Sequence, residues 1–285
     1  EGGRSRLRYA FDLAAKHQAR LSAVHVIPPV DVPPLYRPSA LGRGEQAFER
    51  RNIYDAKASE ELYRKEAAVH SAESRWKTLS GGVAEHLSEE ARHADLVIVG
   101  QYESEGSAER HPSSLADDVV VKCGRPLIVL PWNGPEHPKF DHVLCAYDGS
   151  REAVRTIHDA LPLFQAAGSR IDIVSDLPEE PGKREMTEHI ARHRVAVRQW
   201  ISTFGTPDTH AGLVERLSAS TYDLIVMGAY SRPIWRELLF GGTTKSVLIH
   251  AARPVLMSPR ASRRTAMPSI RPASTAQRRA SSPRS

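Results

Sequence analysis

Gly241-Gly242-Thr243-Thr244 stands at the head of an amphipathic pattern carried by Val247, Leu248 and Ala251. Glycines lack the side chains that would keep phosphate oxygens from the backbone, and a helix that follows presents free amide hydrogens and the positive end of its dipole. The chemistry open to this stretch is the holding of a phosphate-bearing ligand. It is not a Walker loop, because no glycine directly precedes Lys245-Ser246.

Other groups with chemical potential read more plainly. Ser80-Gly81-Gly82 superficially resembles the SGGxDS loop of ATP pyrophosphatases, but Val83-Ala84-Glu85 follow it and a plain turn accounts for it. His189 and His193 sit at i and i+4 on an expected helix, a spacing that could ligate a metal. The HExxH order is missing and no third ligand is evident, so they read as a solvated helix face and no metal is expected. Cys123 and Cys145 fall in apolar patterns, as core thiols of a reducing compartment do. No nucleophile, general base and oxyanion site are grouped, so no enzyme is expected.

The elements that must position the glycine loop surround it directly. Leu224-Ile225-Val226-Met227 is a short apolar run stopped by Gly228, and Val255-Leu256-Met257 follows Arg253-Pro254. Runs of this length bounded by turn signals suit strands buried on both faces. Strand, glycine loop, helix, strand makes a right-handed crossover with the loop at the ligand-binding edge. Upstream, Phe140–Tyr147 reads as a strand, Arg151 to Ala167 as a helix and Arg170–Ser175 as a strand. A helix from Arg184 to His193, a strand near Val195–Trp200 and a helix Ala211–Ala219 complete a β-α-β alternation, which means a parallel sheet covered by helices.

The organising stretch has a twin. Asp95-Leu96-Val97-Ile98-Val99-Gly100 echoes Asp223-Leu224-Ile225-Val226-Met227-Gly228, and Arg125-Pro126 echoes Arg253-Pro254, both at a spacing of 128 residues. A period this long implies duplicated domains rather than a solenoid. In the earlier copy, helix 4–19 precedes strand Leu21–Ile27, and a charged helix over 45–73 should turn Phe48, Ile53, Leu62 and Val69 inward. A strand near Trp76–Leu79 and a helix from Val83 to His93 lead to the Asp95–Gly100 strand. Glu1-Gly2-Gly3-Arg4 aligns with Asp148-Gly149-Ser150-Arg151, so the first strand of this copy is missing. The gap predicts about eight further residues upstream of Glu1, or another segment in their place.

With these motifs in place, the chain resembles a tandem universal stress protein over residues 1 to 259, most specifically in VMGAYSRPIWRELLFGGTTKSVL followed by RPVLM. The resemblance implies an α/β fold of two doubly wound, Rossmann-like parallel-sheet domains with strand order 3-2-1-4-5, the first lacking its first strand. The domains would be 1–134 and 135–259, followed by a disordered tail over 260–285. Nucleotide-binding members carry an aspartate after the first strand and then Gly-x2-Gly-x9-Gly-(Ser/Thr). Carried over, this places Asp148, Gly149 and Ser150 after the first strand of the second copy, Val174 at the base, and Gly228, Ser231, Gly241, Gly242, Thr243 and Thr244 along the phosphates. Ser231 replaces the second glycine, and the hydroxyl is displaced to Thr243. In the first copy Gly100 holds, but Glu103 stands at the second glycine and Ser113-Ser114 at the third glycine and hydroxyl. A carboxylate repels phosphate, so this copy is expected to bind no nucleotide.

The implied function is a non-catalytic, cytoplasmic stress-response protein holding ATP or a related adenine nucleotide in its second domain, as ligand or sensor signal. Binding would order the Gly228–Thr244 loop and change which protein partners dock. The alternative is an interaction module without nucleotide, its two domains forming an internal pseudo-dimer; a further homodimer is also open. No apolar stretch approaches 20 residues and no signal-peptide pattern occurs, so no membrane partner is expected. The net charge is +5, but residues 260–285 hold seven arginines and no acid, which leaves the remainder at −2. The Arg/Ser/Pro tail reads as a solvated, disordered extension, and nucleic acid is not an expected partner. Deleting 260–285 should leave ATP affinity unchanged by calorimetry, whereas steeply salt-dependent oligonucleotide binding lost with the tail would overturn that reading.

Overall fold

The computed structural model describes residues 2–29, 42–101, 114–175, 182–202, 221–229 and 251–258. The elements run α1 (Gly2–Lys16), β1 (Leu21–Ile27), α2 (Gly42–Ala67), β2 (Ser74–Ser80), α3 (Val83–Ala91), β3 (Val97–Gly100), α4 (Ser114–Lys122) and β4 (Leu127–Leu130). They continue β5 (His142–Ala146), α5 (Arg151–Ala167), β6 (Arg170–Ser175), α6 (Gly182–Arg192), β7 (Ala196–Ser202), β8 (Leu224–Gly228) and β9 (Val255–Ser258). The expected α/β architecture of mainly parallel strands covered by helices is what forms.

One sheet has seven strands in the order β3-β4-β9-β8-β5-β6-β7, the other only β1 and β2. Within the large sheet, β7-β6-β5-β8-β9 is a parallel array with β5 at its centre, joined to β6 and β8 along its length. Side chains of β5 alternate between the two faces. Val143 and Cys145 enter the core that also takes Ile157, Leu161 and Ile190, while Leu144 and Ala146 enter the core beneath Val119, Val120 and Cys123. Both cysteines are buried free thiols, as the sequence led one to expect, and burial pushes the pKa of each upward.

β4 and β9 pair antiparallel, Ile128 facing Leu256, Leu127 facing Met257 and Val129 facing Val255. The 128-residue spacing recurs here: Ile128 faces its own counterpart, and the flanking pairs exchange counterparts about that point.

In the earlier half, β1 pairs only with β2 and β3 only with β4 among the described residues. Between β1 and β3 lies a groove of about 1590 Å³, lined by Leu21, Ala23 and His25 on one side and Val97 and Val99 on the other. The gap falls where the sequence alignment lacks a strand. α1 bridges it: Tyr9 and Leu13 enter the core of the large sheet, while Phe11 packs with Ala23 and Tyr63 against the small one.

The inward face of α2 corrects the sequence expectation. Phe48, Ile53 and Val69 are 61%, 49% and 75% exposed, and only Leu62 of the expected four is partly covered. The buried positions are Ala56, Tyr63 and Glu66. A carboxylate takes part in the buried face because Arg4 Nε and Arg8 Nε donate to Glu66 at 2.8 and 3.2 Å, and Arg8 Nη1 reaches Glu136 at 2.6 Å. The helix also closes at Ala67 rather than running to 73, with His70 Nδ1 2.7 Å from the Glu66 carbonyl.

Burial alone would raise the Glu66 pKa, but the hydrogen bonds and charges of Arg4 and Arg8 outweigh it and hold the carboxyl below its ordinary value. A depressed carboxylate contributes stability above its unfolded pKa and loses that contribution as pH falls through the folded value. Glu66→Gln should therefore cost about 2 kcal/mol near neutral pH, on the low side of buried charged pairs because Arg4 is half exposed. Urea unfolding of both proteins should show this difference shrinking below about pH 4; a difference unchanged in acid would refute the assignment.

Candidate functional site

Three strand ends of the parallel array meet at the start of α5. β5 lies between β6 and β8, so Ala146 is flanked by Val174 on one side and Met227 on the other. The chain leaves β5 through Tyr147, whose amide donates to the Val174 carbonyl at 2.9 Å. It then turns sharply at Asp148-Gly149-Ser150. Gly149 takes φ +71°, a conformation that costs a side-chain-bearing residue more. The Asp148 carboxylate accepts the Ser150 amide at 2.9 Å and the Ser150 hydroxyl as well. Ser150 in turn caps α5, its Oγ accepting from the Ala153 amide at 3.1 Å.

Asp148, Gly149, Ser150, Val174 and Gly228, expected from sequence to share a site, thus lie together at the carboxyl edge of the sheet. Ser231, Gly241, Gly242, Thr243 and Thr244 fall outside the described residues, as does the expected helix Ala211–Ala219. The structure also gives several of these residues a local reason to exist. Gly149 makes the turn and Ser150 the cap. A Cβ on Gly228 would lie 2.7 Å from the Ala153 nitrogen and 2.9 Å from the Glu152 carbonyl carbon. Gly228 is therefore a glycine because β8 packs directly on the first turn of α5.

A carboxylate held at this edge is an acceptor and suits a hydroxyl-bearing ribose rather than a phosphate. The described residues supply no phosphate cradle of their own. The rim beyond β6 carries residues that the sequence analysis passed over. Tyr147 meets Trp200 edge-on at 5.7 Å, and Lys183 Nζ lies 5.8 Å from the Trp200 ring centre. Trp200 Nε1 is fixed by Thr187 Oγ1 at 2.9 Å. Their signal was an aromatic at each of two strand ends, legible only once β5, β6 and β7 were placed side by side.

The corresponding corner of the earlier half is built differently. Arg6 of α1 lies over Gly100 at the end of β3, where the later half puts the Ala153 backbone against Gly228. Burial lowers the Arg6 pKa. Glu1, Glu103 and Ser113 fall outside the described residues, and Ser114 opens α4.

A second group of side chains contains a member that the sequence reading did not find. His189 and His193 do have a third partner: His158 of α5 brings its ring beside theirs. The signal was available in the topology. Helices that follow consecutive parallel strands shifted in one direction lie on the same face, so α5 and α6 had to be neighbours.

Residues 2–131 match the model of the Universal stress protein family. No curated protein matches the chain. The crystal structure of a universal stress protein from Archaeoglobus fulgidus DSM 4304 superposes with a TM-score of 0.64 at 18% identity, over 92% of this chain and 95% of that one. At that identity the likeness shows the fold. Universal stress protein UspA from Lactobacillus plantarum matches over 43% of this chain and 99% of its own at 18% identity, with a TM-score of 0.32. A functionally unknown protein from Pseudomonas aeruginosa PAO1 matches over 86% and 94% at 17% identity, with a TM-score of 0.48.

The packing of β8 on α5 can be tested directly. Gly228→Ala should destabilise the fold by about 1–3 kcal/mol through overpacking against backbone that cannot retreat. Ser150→Ala should cost about 1 kcal/mol through loss of the cap. Chemical denaturation measures both, and a neutral Gly228→Ala would show that β8 does not sit this close.

Proposed function

We propose that this chain, which carries a universal stress protein family domain over residues 2–131, is a cytoplasmic stress-response protein of two such domains that holds an adenine nucleotide in the later one. The observation that supports it is the meeting of Asp148, Val174 and Gly228 at the carboxyl edge of a parallel sheet, beside the central strand β5. Ligands of open α/β sheets bind at this edge, where strand order reverses. In the array β7-β6-β5-β8-β9 that reversal lies at β5. Among the described residues no helix is long and apolar enough to cross a membrane.

In this reading Asp148 accepts hydrogen bonds from the ribose, the end of β6 borders the base, and Gly241, Gly242, Thr243 and Thr244 face the phosphates. The nucleotide is a ligand or signal, not a substrate. No general base is assigned, and bound ATP serves to alter what the protein presents to its partners.

A second reading is favoured by Ser231 and Glu103, which stand where glycines belong in the nucleotide-binding pattern. Both sites would then be degenerate, and the protein would act as an interaction module whose two halves pair through β4 and β9.

Calorimetric titration of ATP into the full chain and into Gly241→Asp separates the two. Micromolar binding in the parent, weakened at least tenfold in the variant, is the expected result. No heat and no thermal shift at millimolar ATP would overturn the nucleotide reading and leave the interaction module.

A further inference from the structure

Three imidazoles converge on the outer face of the α5–α6 pair. Every pair of their candidate ligand nitrogens lies within 4.8 Å. The ring centres of His189 and His193 are 4.9 Å apart, and those of His158 lie 6.0 and 5.9 Å from them. His158 is exposed, while the two α6 residues are half-buried. Among the described residues, no carboxylate or carbonyl is bonded to any of the three rings.

The frame beneath is firm. Ile157 and Leu161 on α5 and Met186 and Ile190 on α6 are buried in one core, which fixes the two helices against each other. Past the last turn of α6, Arg194 takes φ +61° and its amide closes on the Ala191 carbonyl at 2.9 Å. Gln165 Nε2 donates to the His193 carbonyl at 2.8 Å, tying the end of α5 to the end of α6. Both helices are thus held in place, and His158 stands exposed between them.

Like groups brought this close must gain something to offset their mutual repulsion when charged. A neutral imidazole presents a lone pair on one ring nitrogen. Three such donors suit Zn²⁺, Cu²⁺ or Ni²⁺ and are too soft a set for Mg²⁺ or Ca²⁺. Tetrahedral Zn–N bonds of about 2.0–2.1 Å need nitrogens roughly 3.4 Å apart. Rotation of the exposed His158 ring and small adjustments of the other two span the difference.

We propose that His158, His189 and His193 form a three-histidine site for a divalent transition-metal ion, Zn²⁺ by preference, with its fourth position open to solvent. The ion would cross-link α5 to α6 on the face opposite the α3–α4 layer. The site shares no residue with the proposed nucleotide edge.

The test is calorimetric titration of Zn²⁺ into the full chain, with His158→Ala, His189→Ala and, as a control among the remaining histidines, His17→Ala. One Zn²⁺ per chain at micromolar affinity, weakened at least tenfold by either cluster variant and unchanged by the control, is expected. The bound ion should also raise the melting temperature of the parent and not that of His158→Ala, whose exposed position leaves the fold intact by circular dichroism. Equal affinity in parent and cluster variants would overturn the site, as would no binding below millimolar Zn²⁺.

Discussion

An interior strand of a parallel sheet needs hydrogen-bond partners on both edges, and β5 is where this chain meets that demand. Its five residues pair with β6 and four of them also with β8, and its alternating side chains seed the cores on both faces of the sheet. The turn at Asp148-Gly149-Ser150 starts from its end, so the edge that bears the candidate site exists because β5 does. The earlier half shows the converse. Among the described residues β1 pairs only with β2, β3 joins only β4 at the end of the large sheet, and a groove lies between β1 and β3. Helix α1 holds the parts in place from one face, with Tyr9 and Phe11 committed to different cores.

Much of this was legible in the residues. Buried parallel strands are continuous apolar runs, so Val97–Val99, Leu127–Leu130, Leu224–Met227 and Val255–Met257 declared themselves. The repeated spacing also anticipated which strands occupy equivalent places. What escaped was anything set by pairs of elements rather than by one. The inward face of α2 was misread because apolar periodicity ignores that Arg4 and Arg8 of another helix can bring Glu66 inside. His158 escaped for the same reason, being 31 residues before His189 and adjacent only through the helix order. The glycine at 228 was legible as a type but not as a cause: it serves contact with α5.

Asp172 shows how the sheet accommodates charge at depth. A register shift follows Ile171, so that Val197 faces Ile171 and Gln199 faces Asp172, with Arg198 as the extra residue. The irregularity aims both Arg198 and Gln199 at the one carboxylate, and Tyr222 completes the set at 2.9 Å. Burial would raise the Asp172 pKa, but these donors and the charge of Arg198 bring it below the ordinary carboxylate value. The same arrangement anchors Tyr222 just before β8, so β6, β7 and β8 are tied through one side chain.

The antiparallel contact of β4 with β9 joins edge strands that belong to one polypeptide. Two separate molecules meeting through such edges would part on dilution, with an equilibrium set by their concentration. Here the second strand is covalently tethered, so the contact is formed at a fixed effective concentration whatever the amount of protein. The continuity of the large sheet is therefore independent of how much protein the cell makes, and both edges in the joint are already taken, so neither is left to template the addition of another chain.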